Sequence, residues 1–238
     1  MDDQVAVRQP VFNVPAGVAA LLGALVCIHA LRQIAGPELD RQVLIYLAFF
    51  PVRLGEFGAE LPGGRVIGVT SMATHALLHA DWVHLLVNGA WLLAFGSMIA
   101  RRTGTVRLLL LFIVCAVAGA LAYVAYNGFT SVVVVGASGA VSGLMGASFR
   151  VIFTGIELGG RQLIQEHPEL IPRPGLVAAL TNRRVLVAVC VWTAVNLIFG
   201  LFFAEVFNAG GIAWEAHVGG FFAGFLLFGL FDQGLRQT

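Results

Sequence analysis

The sequence predicts an all-α membrane protein crossed by six transmembrane helices. Of 238 residues, 58% are hydrophobic and only 11% are charged, and the mean hydropathy is +0.88. A soluble domain of ordinary composition carries about 25% charged residues, so the solvent for this chain is lipid. The apolar residues also fall into runs of about 20, the length that crosses roughly 30 Å of hydrocarbon.

Those runs lie near 13–31, 84–100, 107–126, 134–154, 184–204 and 213–231. The first follows a polar start, MDDQVAVRQP, and has no small-residue cleavage site, so it reads as a retained span rather than a signal peptide. An even number of spans puts both ends on one side. Arg8, Arg101, Arg102, Arg107, Arg150, Arg161, Arg173, Arg183, Arg184 and Arg236 share that side, which makes it cytoplasmic. The other side holds Arg32, Arg41, Arg53 and Arg65, all in one long segment, and its short loops at 127–133 and 205–212 carry no basic residue. The organisation is therefore a cytoplasmic segment 1–12, one membrane domain 13–231 and a cytoplasmic tail 232–238. An outer loop spans 32–83, with VLIYLAFF at 43–50 suited to lie in the interface, and a Pro-interrupted cytoplasmic loop spans 155–183. Cys27, Cys115 and Cys190 are odd in number and all within apolar spans, which predicts packing residues rather than disulfides. There is no Lys and no basic run that could track a phosphate backbone, so nucleic acid is excluded as a partner.

Polar groups inside spans are costly and tend to face the protein interior or a wet cavity. Here they are few, and those that stand out are His84 and Asn88 in the second span, Ser138 and Ser142 in the fourth, Asn196 in the fifth and His217 in the sixth, with His29 in the first. With cytoplasmic termini, the second, fourth and sixth spans start on the outer side. His84, Ser138 and His217 then fall near the first turn of their own spans, at one depth. The fourth span carries Gly139, Gly143 and Gly146 at helical spacing, and the sixth carries Ala216, Gly220 and Gly224. Such ridges of small residues let helix backbones approach closely in lipid, which would bring Ser138 to His217.

A serine hydroxyl becomes a nucleophile when a base takes its proton, and neutral imidazole suits that task near neutral pH. Ser138 and His217 are the candidate pair. Glu215, two residues from His217, would point away on a helix, which predicts a dyad rather than a triad. His84 and Asn88, four residues apart, project from one helix face and can both donate to a developing oxyanion. The Ser138 N–H at the positive helix end would join them, and Gly136 would let backbone approach the substrate carbonyl.

Alone, a GxSG inside a span is met more often at helix contacts than in catalysis; its coincidence with His217, His84 and Asn88 at one depth is what packing does not require. A metal or haem protein built on His75, His79 and His84 would need a second set of ligands deep in a partner helix, and no HExxH occurs, so no metal or cofactor is expected. An aspartyl protease needs two Asp residues within spans, and a transporter more often shows interrupted, repeated halves; neither is present in the sequence. His75 and His79 read as anchors for the outer loop, His29 and His167 as incidental, and Asn196 as a bridge between helices. Phe202, Phe203, Phe207 and Trp214 could form an apolar gate or be interfacial anchors.

The stretches GASG with Ser138 third, AHVGGFFAG with His217 second, and HALLHADWVHLLVNG with His75, His79, His84 and Asn88 resemble the rhomboid intramembrane serine proteases over residues from about 67 to 229. The resemblance implies a six-helix rhomboid bundle with a cavity open to the outer side, in a bacterial-type inner membrane. It also implies cleavage of single-pass or otherwise membrane-anchored proteins in or near their transmembrane segments. By position, Ser138 matches the nucleophile, His217 the base, and His84, Asn88, Gly136 and the Ser138 amide the oxyanion site. The alternative is a non-catalytic rhomboid-like protein that binds membrane proteins without cutting them; such relatives usually lack the serine or the histidine. Two departures stand out: Thr70 and Ser71 replace a Trp-Arg pair common in the outer loop, and Ser142 replaces an aromatic residue that, in some bacterial members, stacks on the histidine.

Overall fold

The computed structural model describes residues 14–200 and 213–234. Among the described residues, five helices are long and apolar enough to cross a membrane: Ala16–Ile34, Trp82–Thr103, Thr105–Asn127, Ser138–Leu158 and Trp214–Phe231. We call Ala16–Ile34 α1. The short helices Pro37–Leu47 (α2) and Gly64–Thr74 (α3) lie in the segment that follows. The next span comprises Trp82–Trp91 (α4), one π-helical turn Leu92–Gly96, and Ser97–Thr103 (α5). Then come Thr105–Asn127 (α6), Ser138–Leu158 (α7), Gly160–Glu166 (α8), Leu176–Thr181 (α9), Arg183–Ile198 (α10) and Trp214–Phe231 (α11). The run predicted at 184–204 extends beyond the described residues, and the segments 1–12 and 205–212 lie outside them.

Helix starts follow local chemistry. Asp81 caps α4 by accepting from the His84 N–H at 2.8 Å, and Asn182 caps α10 by accepting from Arg184 at 2.9 Å and Val185 at 3.3 Å. The fourth span begins later than its apolar run: α7 starts at Ser138, and the predicted residues 134–137 lie outside it. Val134 instead pairs with Phe49 across an isolated antiparallel bridge, Val134 donating at 2.9 Å and Phe49 at 3.1 Å. A run of four valines favours extended backbone. Of the stretch 43–50, residues 43–47 form the end of α2, and Ala48 and Phe49 are buried in the protein.

The centre of the molecule is α7, buried along most of its length between α6 and α11. Lipid is as apolar as leucine, so what joins such helices is close van der Waals contact. A Cβ added at Gly220 would overlap the carbonyl of Gly139, and one at Gly224 the carbonyl of Gly143. The predicted packing residues Gly139, Gly143, Gly220 and Gly224 thus meet backbone to backbone. Of the cysteines only Cys115 packs this way, against Gly143; Cys27 and Cys190 are exposed on their helices, so the packing role does not hold for them.

At the end of α11 lies a buried ionic cluster. Asp232 accepts from Arg102 at 2.8 and 3.0 Å and from Arg173 at 2.7 Å. Arg102 also donates to the Pro168 and Ile171 carbonyls, and Arg150 to the Phe225 and Pro174 carbonyls. Burial alone would raise the Asp232 carboxyl, but the Arg102 and Arg173 guanidiniums and the Gly234 N–H hold it below the usual carboxylate range.

Candidate active site

Ser138 is the first residue of α7 and His217 stands in the first turn of α11. Because glycines hold these two helices in backbone contact, the side chains meet: Ser138 Oγ lies 2.8 Å from His217 Nε2. A Gly136 carrying φ of +123° precedes them, a backbone that L side chains rarely adopt. A Cβ there would come within 2.6 Å of the His84 ring. Glycine is therefore required twice over, by conformation and by the approach of His84.

Asn88 sits one turn below His84 on α4, buried, with Nδ2 donating to the His84 carbonyl at 3.0 Å. Its amide offers a second N–H. His84, Asn88, Ser138, Asn196 and His217 all line one cavity of about 720 Å³. Its remaining walls, Ser142 aside, are apolar, among them Trp91, Phe95, Met145, Phe149 and Trp192. Ser142 also lines it. A handful of polar groups in an otherwise apolar cleft can orient and polarise a peptide bond.

The segment before Ser138 is pinned from the chain between α1 and α4. His75 Nδ1 lies 3.0 Å from the Ser71 carbonyl, while the His75 carbonyl accepts from the Gly136 N–H at 3.0 Å. His79 Nε2 accepts from the Ala137 N–H at 3.5 Å, and the His79 carbonyl accepts from Arg32 at 2.8 Å. Burial pushes the imidazole of His75 down to about 4 and that of His79 down to about 3. Both rings are neutral packing and hydrogen-bonding groups.

His29 is fully buried, edge-on to Trp82 with ring centroids 4.6 Å apart. Asn196 does bridge helices, but its partner is the candidate base itself, with Oδ1 lying 3.0 Å from His217 Nδ1. Spacing could not find this, since the two residues lie on different helices; an amide inside an apolar span was the only signal. Of the aromatic gate, Trp214 is described and stacks edge-on to Tyr126 at 5.1 Å, whereas Phe202, Phe203 and Phe207 lie outside the described residues. Glu215 does turn away, accepting from Asn127 at 2.8 Å, and His167 pairs on the surface with Glu169 at 3.1 Å. Among the described residues no cluster of three or more His, Cys, Asp or Glu could hold a metal ion.

Taken together, the fold and this site define a helical membrane protein with a hydrogen-bonded serine and histidine lining an apolar cleft. Residues 68–232, more than half of the chain, match the family model described as Rhomboid domain, and the chain belongs to the rhomboid family. It is 28% identical over 221 residues to Rhomboid protease GlpG of Haemophilus influenzae, covering 93% of each chain. It is also 30% identical over 150 residues to RHOMBOID-like protein 4 of Arabidopsis thaliana, covering 63% of this chain and 31% of that protein. The protein is therefore integral to a membrane.

Proposed function

We propose that this protein is an intramembrane serine endopeptidase acting on membrane-anchored proteins through a Ser138–His217 dyad and an acyl-enzyme. The observation that carries the proposal is the 2.8 Å contact between Ser138 Oγ and His217 Nε2. In this reading Ser138 Oγ attacks the scissile carbonyl carbon as His217 Nε2 takes its proton. The oxyanion is received by the Ser138 N–H, His84 and Asn88, with Gly136 keeping the approach clear. His217 then gives its proton to the leaving amine, which departs and leaves the new C-terminus esterified to Ser138. Water, deprotonated by His217, attacks the ester, releases the carboxylic acid and restores the hydroxyl.

The same proposal takes the chain as one six-span domain over 13–231, with the fifth span running through 184–204 and both termini cytoplasmic, in a bacterial inner membrane. The cleft then opens outward. A substrate segment must unwind before its peptide bond can reach Ser138, so spans carrying Gly or other helix-weakening residues are favoured.

Fluorophosphonate labelling in detergent tests this, comparing the native chain with Ser138→Ala and His217→Ala. Labelling of the native chain alone is expected, while His84→Ala and Asn88→Ala should each label about 100- to 1,000-fold more slowly. A native chain that never labels is a rhomboid-like binding protein.

A further inference from the structure

We propose that Asn196 is a positioning residue for His217, holding the imidazole in the tautomer that carries its proton on Nδ1 and leaves Nε2 free to take the serine proton. The inference rests on the protease reading and adds to it what orients the base.

An amide has one acceptor end and one donor end. In Asn196 the donor end is committed, because Nδ2 donates to the Trp192 carbonyl at 3.0 Å, and a carbonyl can only accept. That leaves Oδ1 facing His217 Nδ1 at 3.0 Å, and an amide oxygen can only accept. Nδ1 must therefore be the protonated nitrogen. In the neutral ring Nε2 is then the bare one, 2.8 Å from Ser138 Oγ, as a base must be. The reverse tautomer would set two lone pairs against each other at Asn196.

A second contact keeps the amide in place. One turn before Asn196 on α10, the Trp192 ring stacks on Phe221, one turn after His217 on α11, with centroids 4.0 Å apart and planes 16° apart. The stacked rings and the amide–imidazole pair therefore lie one turn apart along the same two helices and fix their relative rotation. Among the described residues no carboxylate reaches His217, Glu215 being engaged by Asn127. The ring also has no aromatic neighbour at position 142, which is Ser142.

The test reads the tautomer directly. His217 in chain labelled with 15N-histidine, at alkaline pH where imidazole is neutral, is expected to show the Nδ1–H tautomer alone. Asn196→Leu should give a mixture of tautomers and a fluorophosphonate labelling rate about 10- to 100-fold lower, with the saturating reagent concentration unchanged. Asn196→Asp, which keeps an acceptor oxygen at the same place, should restore the single tautomer and most of the rate. A native ring protonated on Nε2 overturns the proposal, as does an Asn196→Leu chain that labels at the native rate with one tautomer. A native chain that carries the Nδ1–H tautomer but never labels sinks the protease reading and leaves the positioning contact standing.

Discussion

A single methyl group at Gly136 is the most economical probe of the site at the scale of a residue. Gly136→Ala would force a side chain onto a φ of +123° and drive its Cβ against the His84 ring. We expect fluorophosphonate labelling to fall at least about 10-fold while the helical circular dichroism is unchanged, since strain of this kind costs about 1–3 kcal/mol and is confined to the loop. An Ala variant that labels normally would mean that His84 and the Gly136 backbone do not cooperate. His75 and His79 give a second expectation. Their folded values, about 4 and about 3, lie below the 6.5 of the unfolded chain. As pH falls below 6.5 the unfolded chain binds protons that the folded one refuses, so stability present above that pH is lost, by up to about 1.4 kcal/mol per pH unit for each ring. The thermal midpoint in detergent should drop between about pH 7 and pH 5, and His75→Gln should flatten that drop; a midpoint independent of pH would contradict it. Ser138, His217, His84 and Asn88 were legible in the sequence because costly polar groups recur at one predicted depth. The role of Asn196 was not, because depth says nothing of the rotational phase that aims a side chain across to another helix.

At the scale of an element, α7 and α11 act as one unit. A branched side chain at Gly220 meets the Gly139 carbonyl, which belongs to a backbone with nowhere to move. Gly220→Val should destabilise the protein by about 1–3 kcal/mol or more in a detergent unfolding titration, and slow labelling because it separates Ser138 from His217. Equal stability with native labelling would show that the two helices are not in backbone contact. The small-residue ridges were readable from spacing alone, since 3.6-residue periodicity puts them on one face. The start of α7 was not: hydropathy marks apolar residues whether they lie in a helix or pair as extended chain, and Val134 does the latter.

For the whole molecule, the arginines read differently in three dimensions. In the sequence Arg102, Arg150 and Arg173 mark only sidedness, yet all three are buried, and Asp232 gathers two of them. The pairing of Arg102 with Asp232 spans 130 residues of chain, beyond what any local pattern can signal. Asp232→Ala would leave two buried guanidiniums without their counter-ion, and should cost about 3–5 kcal/mol in the same unfolding titration. A neutral effect would mean that water reaches the cluster. The cluster ties the ends of α5 and α11 to the segment around Arg173, far along the helices from Ser138. It therefore stabilises the frame on which the reacting pair is held.

Peptide mapping by mass spectrometry after fluorophosphonate treatment of the detergent-solubilised chain tests the central claim most directly. The account predicts one covalent adduct, on Ser138, that disappears in His217→Ala. An adduct on another residue, or one on Ser138 formed equally well without the His217 imidazole, would contradict it.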